Sequence, residues 1–445
     1  MNIVEEVFRR ADPHAVALIG ESEQVTYAQL RARVDFAALP IARTPAPRVG
    51  LDCPNGIAHV VLALAIVRAG KCLVPIAGEL APPERERLMG DAGVGAVVDC
   101  RGVVREVSVG HDLPFEEAQL AALDPAFIRF SSGTTGRSKG VVLSHSRLLE
   151  RIAAANRGLG ITPEDRVVWI LPMAHHFAVS IMLYLLHGAA TVIVASHLAE
   201  EVLAAGRAHR GTVLYGAPFH HALLAAEPSA REWPDLRLAV STAATLSQTT
   251  ARAFAERFPV PLSQAFGIIE VGLPLLNTDA AREKPASVGR PLPDFEAEIR
   301  DGELFLRGPG MLDAYLHPWR TREEVLEDGW FRTGDMARRD PEGHVFLEGR
   351  AQTVINVAGM KCFPEEIEAV LCAMPQVSLA RVVGKPHPRV GAVPVAEIVP
   401  RDPAQPPRVA ALAAHCRASL ARYKVPVEFH FVPELPLTAS GKVKR

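Results

Sequence analysis

A chain of 445 residues is too long for one compact core, since cores rarely grow past about 250–300 residues, so two or more domains are expected. With 49% apolar and 22% charged residues it is neither disordered nor collagen-like, and a formal charge of −2 excludes a global field that would draw it onto nucleic acid or an anionic membrane. Cysteines at 53, 72, 100, 362, 372 and 416 form no C-x-x-C pair and read as free thiols of a reducing cytoplasm. The first fourteen residues carry acids and no apolar h-region, so no secretory signal is expected.

In chain order, short β-rich runs at 48–51, 95–99, 167–171, 191–195 and 212–215 alternate with helical stretches, which predicts parallel sheets covered by helices. The longest apolar stretch, 177–194, is interrupted by His187, Gly188 and Thr191 and reads as a buried helix followed by a strand, not a membrane span. After Lys284 brief strands at 288–293, 295–300, 303–307 and 344–347, broken by Gly and Pro, predict a small β-rich unit. Beyond Arg350, Pro364 marks a helix start with Glu365, Glu366 and Glu368 behind it, where the helix dipole favours acids. A second helix carries Val409, Leu412, Ala413, Cys416 and Leu420 on one face. The predicted fold is α/β: a large N-terminal domain of helix-covered sheets, 1–350, including a β-rich subdomain at about 285–350, then a small mobile α+β C-terminal domain, 351–445.

Ser131-Ser132-Gly133-Thr134-Thr135-Gly136-Arg137-Ser138-Lys139-Gly140 lies between predicted strands at 126–130 and 141–143. Glycines let backbone N–H groups turn toward an anion, hydroxyls add donors and Lys139 adds charge, so the composition suits the polyphosphate of ATP. A Walker loop is excluded, because Ser138 stands five residues after Gly133 and no Gly-Lys-Ser/Thr follows. Gly136-Arg137-Ser138-Lys139-Gly140 also fits the G-x-S-x-G elbow of serine hydrolases, which needs a helix directly after the serine, whereas 140–143 is strand-like.

The loop resembles the signature of the adenylate-forming superfamily, the acyl- and aryl-CoA synthetases, luciferases and peptide-synthetase adenylation domains. Further segments resemble that family in order: 66–70, 73–75 and 83–85 early, then Ser287-Val288-Gly289-Arg290-Pro291, Arg307-Gly308-Pro309, Trp330-Phe331-Arg332-Thr333-Gly334-Asp335, Gly349-Arg350 and Pro436-Leu437-Thr438-Ala439-Ser440-Gly441-Lys442. The resemblance implies ATP bound by Ser131, Ser132, Gly133, Thr134, Thr135, Gly136 and Lys139, with Ala243, Ala244 and Thr245 passing the adenine and Phe266 and Gly267 binding the nucleotide from the segment that ends in Glu270. Asp335 would accept from the ribose hydroxyls with Arg350 beside the sugar, and Glu270 would hold Mg²⁺. Ile269 departs from the threonine usual in that segment and cannot donate to phosphate. Lys442 would be catalytic, bridging the two anions that converge when a carboxylate attacks the α-phosphorus. Gln352 takes the place of the hinge about which the C-terminal domain turns, Gly359 that of the thiol tunnel, and Asn356 replaces a lysine common in the family.

Leu171-Pro172-Met173-Ala174-His175-His176-Phe177 resembles the acid-binding segment of aryl-acid activators, which makes His175, His176 and Phe177 the substrate candidates. The implied activity is ATP-dependent activation of a carboxylic acid, an aryl acid before an aliphatic one, and transfer to the thiol of coenzyme A or of a carrier protein's phosphopantetheine. An amine acceptor is a variant of the same chemistry. Two other classes stay open at this point: a serine hydrolase using Ser138, and a non-catalytic nucleotide-binding protein, motivated by Ile269 and Gln352.

Overall fold

The computed structural model describes residues 2–108, 113, 115–131, 139–228, 232–244, 246–357, 360–388, 390–437 and 443. Two large sheets dominate. The first has eight strands in the order Arg320–Thr321, Ala314–Tyr315, Lys139–Ser144, Pro125–Ser131, Cys72–Pro75, Arg48–Asp52, Ala96–Asp99 and Val104–Glu106. The second has nine: Arg290–Pro291, Gly272–Leu276, Leu262–Ile268, Leu238–Ser241, Val213–Gly216, Arg166–Trp169, Ala190–Ile193, Val16–Ile19 and Gln24–Thr26. Their central strands run parallel, as the predicted alternation requires.

One core joins the two sheets, taking Val49, Leu51, Leu73 and Phe127 from the first and Val167, Trp169, Val213 and Val240 from the second. The helix Ile57–Arg68 fills this core; residues 59–67 are all buried, which explains why it is apolar on every side. The helix His145–Leu159 joins the same core through Leu148, Ile152, Ala155 and Leu159. It starts at Ser144, whose hydroxyl accepts from the Arg147 N–H, and stops at Gly160 in the left-handed conformation, φ 58°. Separate apolar clusters line the outer faces of the two sheets.

The β-rich region departs from expectation in three ways. Arg290–Pro291 pairs with Gly272–Leu276 at the edge of the nine-stranded sheet while Gly289 bridges to Val345 of the small sheet, so the run at 288–293 joins the two sheets and is not a strand of the small one alone. That sheet is antiparallel and consists of Glu296–Arg300, Glu303–Arg307, Phe331–Arg339 and Val345–Arg350. Its nine-residue strand Phe331–Arg339 is absent from the sequence reading because Gly334, at φ 75°, and its polar neighbours interrupt the apolar alternation. Between these strands the chain returns to the eight-stranded sheet, where Ala314 pairs with Val142 and Tyr315 with Val141.

From Ile355 onward the strands Ile355–Val357, Met360–Cys362, Val377–His387, Gly391–Pro400 and Glu428–Phe431 form a fourth sheet with its own core. Helix Pro364–Cys372 has proline at its start, and Ile367 and Leu371 face that core. Glu368 lies past the first turn, where its Oε1 accepts from the Val382 N–H at 2.7 Å. In helix Val409–Ser419 only part of the predicted stripe is inside: Leu412 and Cys416 are buried, while Val409 is exposed and Leu420 falls after the last turn. The stretch 177–194 forms a π-helical turn, Phe177–Ile181, a short α-helix, Met182–Leu186, and the strand Ala190–Ile193. Among the described residues no helix is long and apolar enough to cross a membrane, and all six cysteines are unbridged.

Candidate active site

The phosphate-loop candidate is the connection of an antiparallel hairpin. Ser131 and Lys139 stand opposite each other, and Ser132, Gly133, Thr134, Thr135 and Gly136 lie outside the described residues. Ser138 also lies outside the described residues, but the segment directly after it, Lys139–Ser144, is a six-residue strand where the hydrolase elbow needs a helix, which argues against that reading.

Lys139 holds its ammonium 4.7 Å from the centre of the Tyr315 ring, a cation–π contact. The Tyr315 hydroxyl in turn donates to Glu270 Oε1 at 3.0 Å. Burial, and then the Glu270 carboxylate, push the Tyr315 pKa far up, so the phenol keeps its proton and remains a donor. Tyr315 was not among the sequence candidates; only the excursion of 308–321 to the sheet edge brings it here. Arg129 was missed as well. It lies on the strand Pro125–Ser131, its Nε is buried without a partner, and burial lowers its pKa to about 10 against the opposing pull of Glu270.

Glu270 is held from behind. The Leu312 N–H donates to the Glu270 carbonyl at 2.8 Å, and the buried Arg151 guanidinium donates to the carbonyls of Ile269 and Gly310, both at 2.8 Å. Burial lowers the Arg151 pKa to about 9, so its charge is retained at neutral pH. Ile269 itself is buried in the main core, which gives its departure from threonine a packing role. With Oε1 taken by Tyr315, Glu270 offers Oε2 as a hard oxygen ligand. One carboxylate beside phosphate oxygens is a donor set that fits Mg²⁺.

The adenine and ribose candidates sit at strand ends. Ala243 and Ala244 follow the strand Leu238–Ser241, beside Phe266 and Gly267 in the neighbouring strand Leu262–Ile268, and Thr245 lies outside the described residues. Such carboxyl ends are where open α/β sheets bind ligands. Ala243 has φ 71°, an uncommon left-handed conformation for a residue with a Cβ. Gly267 is exposed, and a Cβ there would stand 2.9 Å from the Gly272 carbonyl oxygen. Asp335 and Arg350 face each other on adjacent antiparallel strands, with Arg350 Nε 2.9 Å from Asp335 Oδ1. Arg350 Nη1 also donates to the Thr333 carbonyl at 3.1 Å, and the Thr333 hydroxyl accepts from the Asp335 N–H at 3.0 Å. The carboxylate is thereby fixed while 6% of the residue stays exposed.

After the strand Arg166–Trp169, the acid-binding candidates His175 and His176 lie on a short helix, Met173–His176, and Phe177 opens the π-helical turn that follows. Asn55, from the other sheet, clamps the preceding turn: its Oδ1 accepts from the Met173 N–H at 2.8 Å and its Nδ2 donates to the Leu171 carbonyl at 2.9 Å. His175 Nε2 lies 2.6 Å from Glu79 Oε1. His176 meets Trp169 edge-on, centroids 5.7 Å apart, and Trp169 stacks on Tyr215 at 5.7 Å. Phe177 is placed differently from its neighbours. It is 1% exposed and packs against the His59 ring, so it braces the segment from within the core.

Gly359 and Lys442 lie outside the described residues; the residues flanking the latter, Leu437 and Val443, pair as an antiparallel bridge. Gln352 belongs to a 3-10 turn, Ala351–Thr353, between the small sheet and the C-terminal sheet. Elsewhere Asp340, Glu342 and His344 cluster at metal-ligand distances from one another, yet Lys284 fills the position: its ammonium is 2.7 Å from Asp340 and 2.5 Å from Glu342.

The family profile of AMP-binding enzymes matches residues 5–316, and that of the AMP-binding enzyme C-terminal domain matches 366–442. A Mycobacterium tuberculosis 3-[(3aS,4S,7aS)-7a-methyl-1,5-dioxo-octahydro-1H-inden-4-yl]propanoyl:CoA ligase is 32% identical over 97% of this chain and 95% of its own. A feruloyl-CoA synthase of Amycolatopsis sp is 28% identical over 98% of this chain and 95% of its own. Among solved structures, ATP-bound MatB from Rhodopseudomonas palustris superposes with a TM-score of 0.86 at 25% identity, covering 99% of this chain and 97% of that one.

Proposed function

Since the chain belongs to the AMP-binding enzymes of the adenylate-forming superfamily, we propose that it joins a carboxylic acid to a thiol through an acyl adenylate. In the first step a carboxylate oxygen bonds to the α-phosphorus of ATP and the bond to pyrophosphate breaks. In the second, the thiol sulfur bonds to the acyl carbon, AMP leaves, and the thiol proton goes to solvent.

The observation that carries this reading is the array Lys139–Tyr315–Glu270 beside the hairpin whose connection is the Gly-rich loop. It puts a cation and an oriented carboxylate next to the loop suited to a polyphosphate. Glu270 would hold Mg²⁺, which neutralises phosphate charge when bound. Asp335 accepts from the ribose hydroxyls and Arg350 fixes it for that task. Lys442 arrives from the C-terminal domain to stabilise charge at the α-phosphate, and rotation about Gln352 then exchanges it for Gly359 at the thiol tunnel. The divide between the two domains is set near Gln352.

An aryl acid is favoured by the ring-lined setting of His176, with Trp169 and Tyr215 behind it, and by the relative named for feruloyl-CoA. The alicyclic propanoyl ligase supports a second reading, an aliphatic acid handled by the same mechanism. Coenzyme A is favoured as acceptor because both of these relatives are named for it, ahead of a carrier-protein phosphopantetheine. The proposed setting is cytoplasmic. ATP–pyrophosphate exchange measured across a panel of aryl and aliphatic acids tests the reading: exchange must require an acid and Mg²⁺, and exchange with no acid in the panel would sink it.

A further inference from the structure

We propose that Glu79 is a positioning residue for the acid-binding histidine, a role that rests on the reading of His175 as part of the acid site. The two are 96 positions apart and follow strands of different sheets. Glu79 follows the strand Cys72–Pro75 of the eight-stranded sheet, and His175 follows the strand Arg166–Trp169 of the nine-stranded one. Their contact, His175 Nε2 to Glu79 Oε1 at 2.6 Å, is as short as charge-assisted bonds become.

This pair does little for the fold. The side chains are 28% and 41% exposed, and exposed pairs of that kind contribute little to stability. Its effect is on orientation. Asn55 already clamps the backbone on both sides of Pro172, so the segment is fixed up to the His175 Cα while the imidazole can still turn among its rotamers. Glu79 removes that freedom. Its own backbone is anchored, since the Leu80 N–H closes a turn onto the Ala77 carbonyl at 3.2 Å and Glu84 accepts from the Ala81 N–H at 2.9 Å. The bond also fixes one proton of the ring: a carboxylate only accepts, so Nε2 is the nitrogen that donates to Glu79. Two loops of one sheet thus grip the acid-binding segment of the other, Asn55 its backbone and Glu79 its ring.

The test uses the full-length enzyme and the acid that gives the fastest exchange in the panel. Glu79→Ala raises KM for that acid by about three- to tenfold and leaves KM for ATP and the melting temperature unchanged. Glu79→Gln, which still accepts a hydrogen bond, keeps most of the wild-type KM. His175→Ala raises KM for the acid as well, and adding Glu79→Ala to it brings no further loss, because the two act as one unit. Wild-type KM in Glu79→Ala, a parallel rise in KM for ATP, or additive losses in the double variant would overturn the role of Glu79 while leaving the ligase reading intact. A wild-type enzyme that exchanges with no acid removes the ligase reading, and this proposal with it.

Discussion

On the proposed nucleotide side, Asp335 meets Arg350 at 2.9 Å and Tyr315 meets Glu270 at 3.0 Å. On the proposed acid side, the His176 ring meets Trp169 edge-on, with centroids 5.7 Å apart. Charge-assisted hydrogen bonds demand particular atoms at particular angles, whereas ring packing accepts any shape that fills the space. We propose that the first set therefore holds one constant ligand, and that on the acid side the ring-lined wall at His176, unlike the hydrogen-bonded His175–Glu79 pair, can be retuned for different acids. Substitutions on the nucleotide side should slow all acids alike; those on the acid side should reorder them.

The largest effect is expected from Lys442→Ala, which lowers adenylation by about 10²–10³, the scale of losing one transition-state donor. Transfer from a preformed acyl adenylate to the thiol is spared. Single-turnover measurement of each half-reaction decides it, and an equal loss in both would remove the lysine from the first step. Asp335→Ala comes next. It deletes the acceptor for two hydroxyls and leaves Arg350 without its carboxylate, so kcat/KM for ATP should fall by roughly 10–100-fold, on the order of a lost charged hydrogen bond or two. The ranking of acids in the panel should not move; a changed ranking would break the division between the halves.

Tyr315→Phe removes one donor to Glu270 and keeps the ring under Lys139. A loss of about two- to tenfold is expected, the worth of one hydrogen bond, together with a higher Mg²⁺ requirement in a titration at fixed ATP. An unchanged Mg²⁺ requirement would argue against Glu270 as the metal's ligand. His176→Ala works in the opposite sense. It opens space beside Trp169, so the preferred acid loses a few-fold and a bulkier one gains, read as a crossing of kcat/KM values across the panel.

The same contrast explains what could be read from the sequence. The Gly-rich loop could be named as a phosphate candidate from its composition, and Asp335, Arg350 and Glu270 from the resemblance of the segments that carry them. The parallel strands were legible because their runs are apolar on both faces. Tyr315, Arg129 and Glu79 could not be named, since each meets its partner through a tertiary crossing: Tyr315 by a two-residue strand returning to a sheet edge, Arg129 by coming within electrostatic reach of Glu270, Glu79 by a bond to the helix that follows a strand of the other sheet. The core position of Phe177 and the packing role of Ile269 were hidden for the same reason, because burial is decided by what lies opposite and one segment of sequence does not contain it.

The smallest effect separates structural charge from functional charge. Lys284 lies among Asp340, Glu342 and His344 with the distances of an active-site cluster, yet it links the 277–287 segment to the small sheet. Lys284→Met should leave both half-reactions and the ranking of acids unchanged and lower only the melting temperature. The Lys284 ammonium holds the Asp340 pKa down at about 2, from an ordinary 3.8. A depressed carboxylate contributes stability that is present above its unfolded pKa and lost as pH falls through the folded one. The gap in melting temperature between wild type and Lys284→Met should accordingly be open at neutral pH and narrow as the pH is lowered from about 5 toward 3. A gap that widens on acidification, or any loss of adenylation in this variant, would place Lys284 among the functional charges.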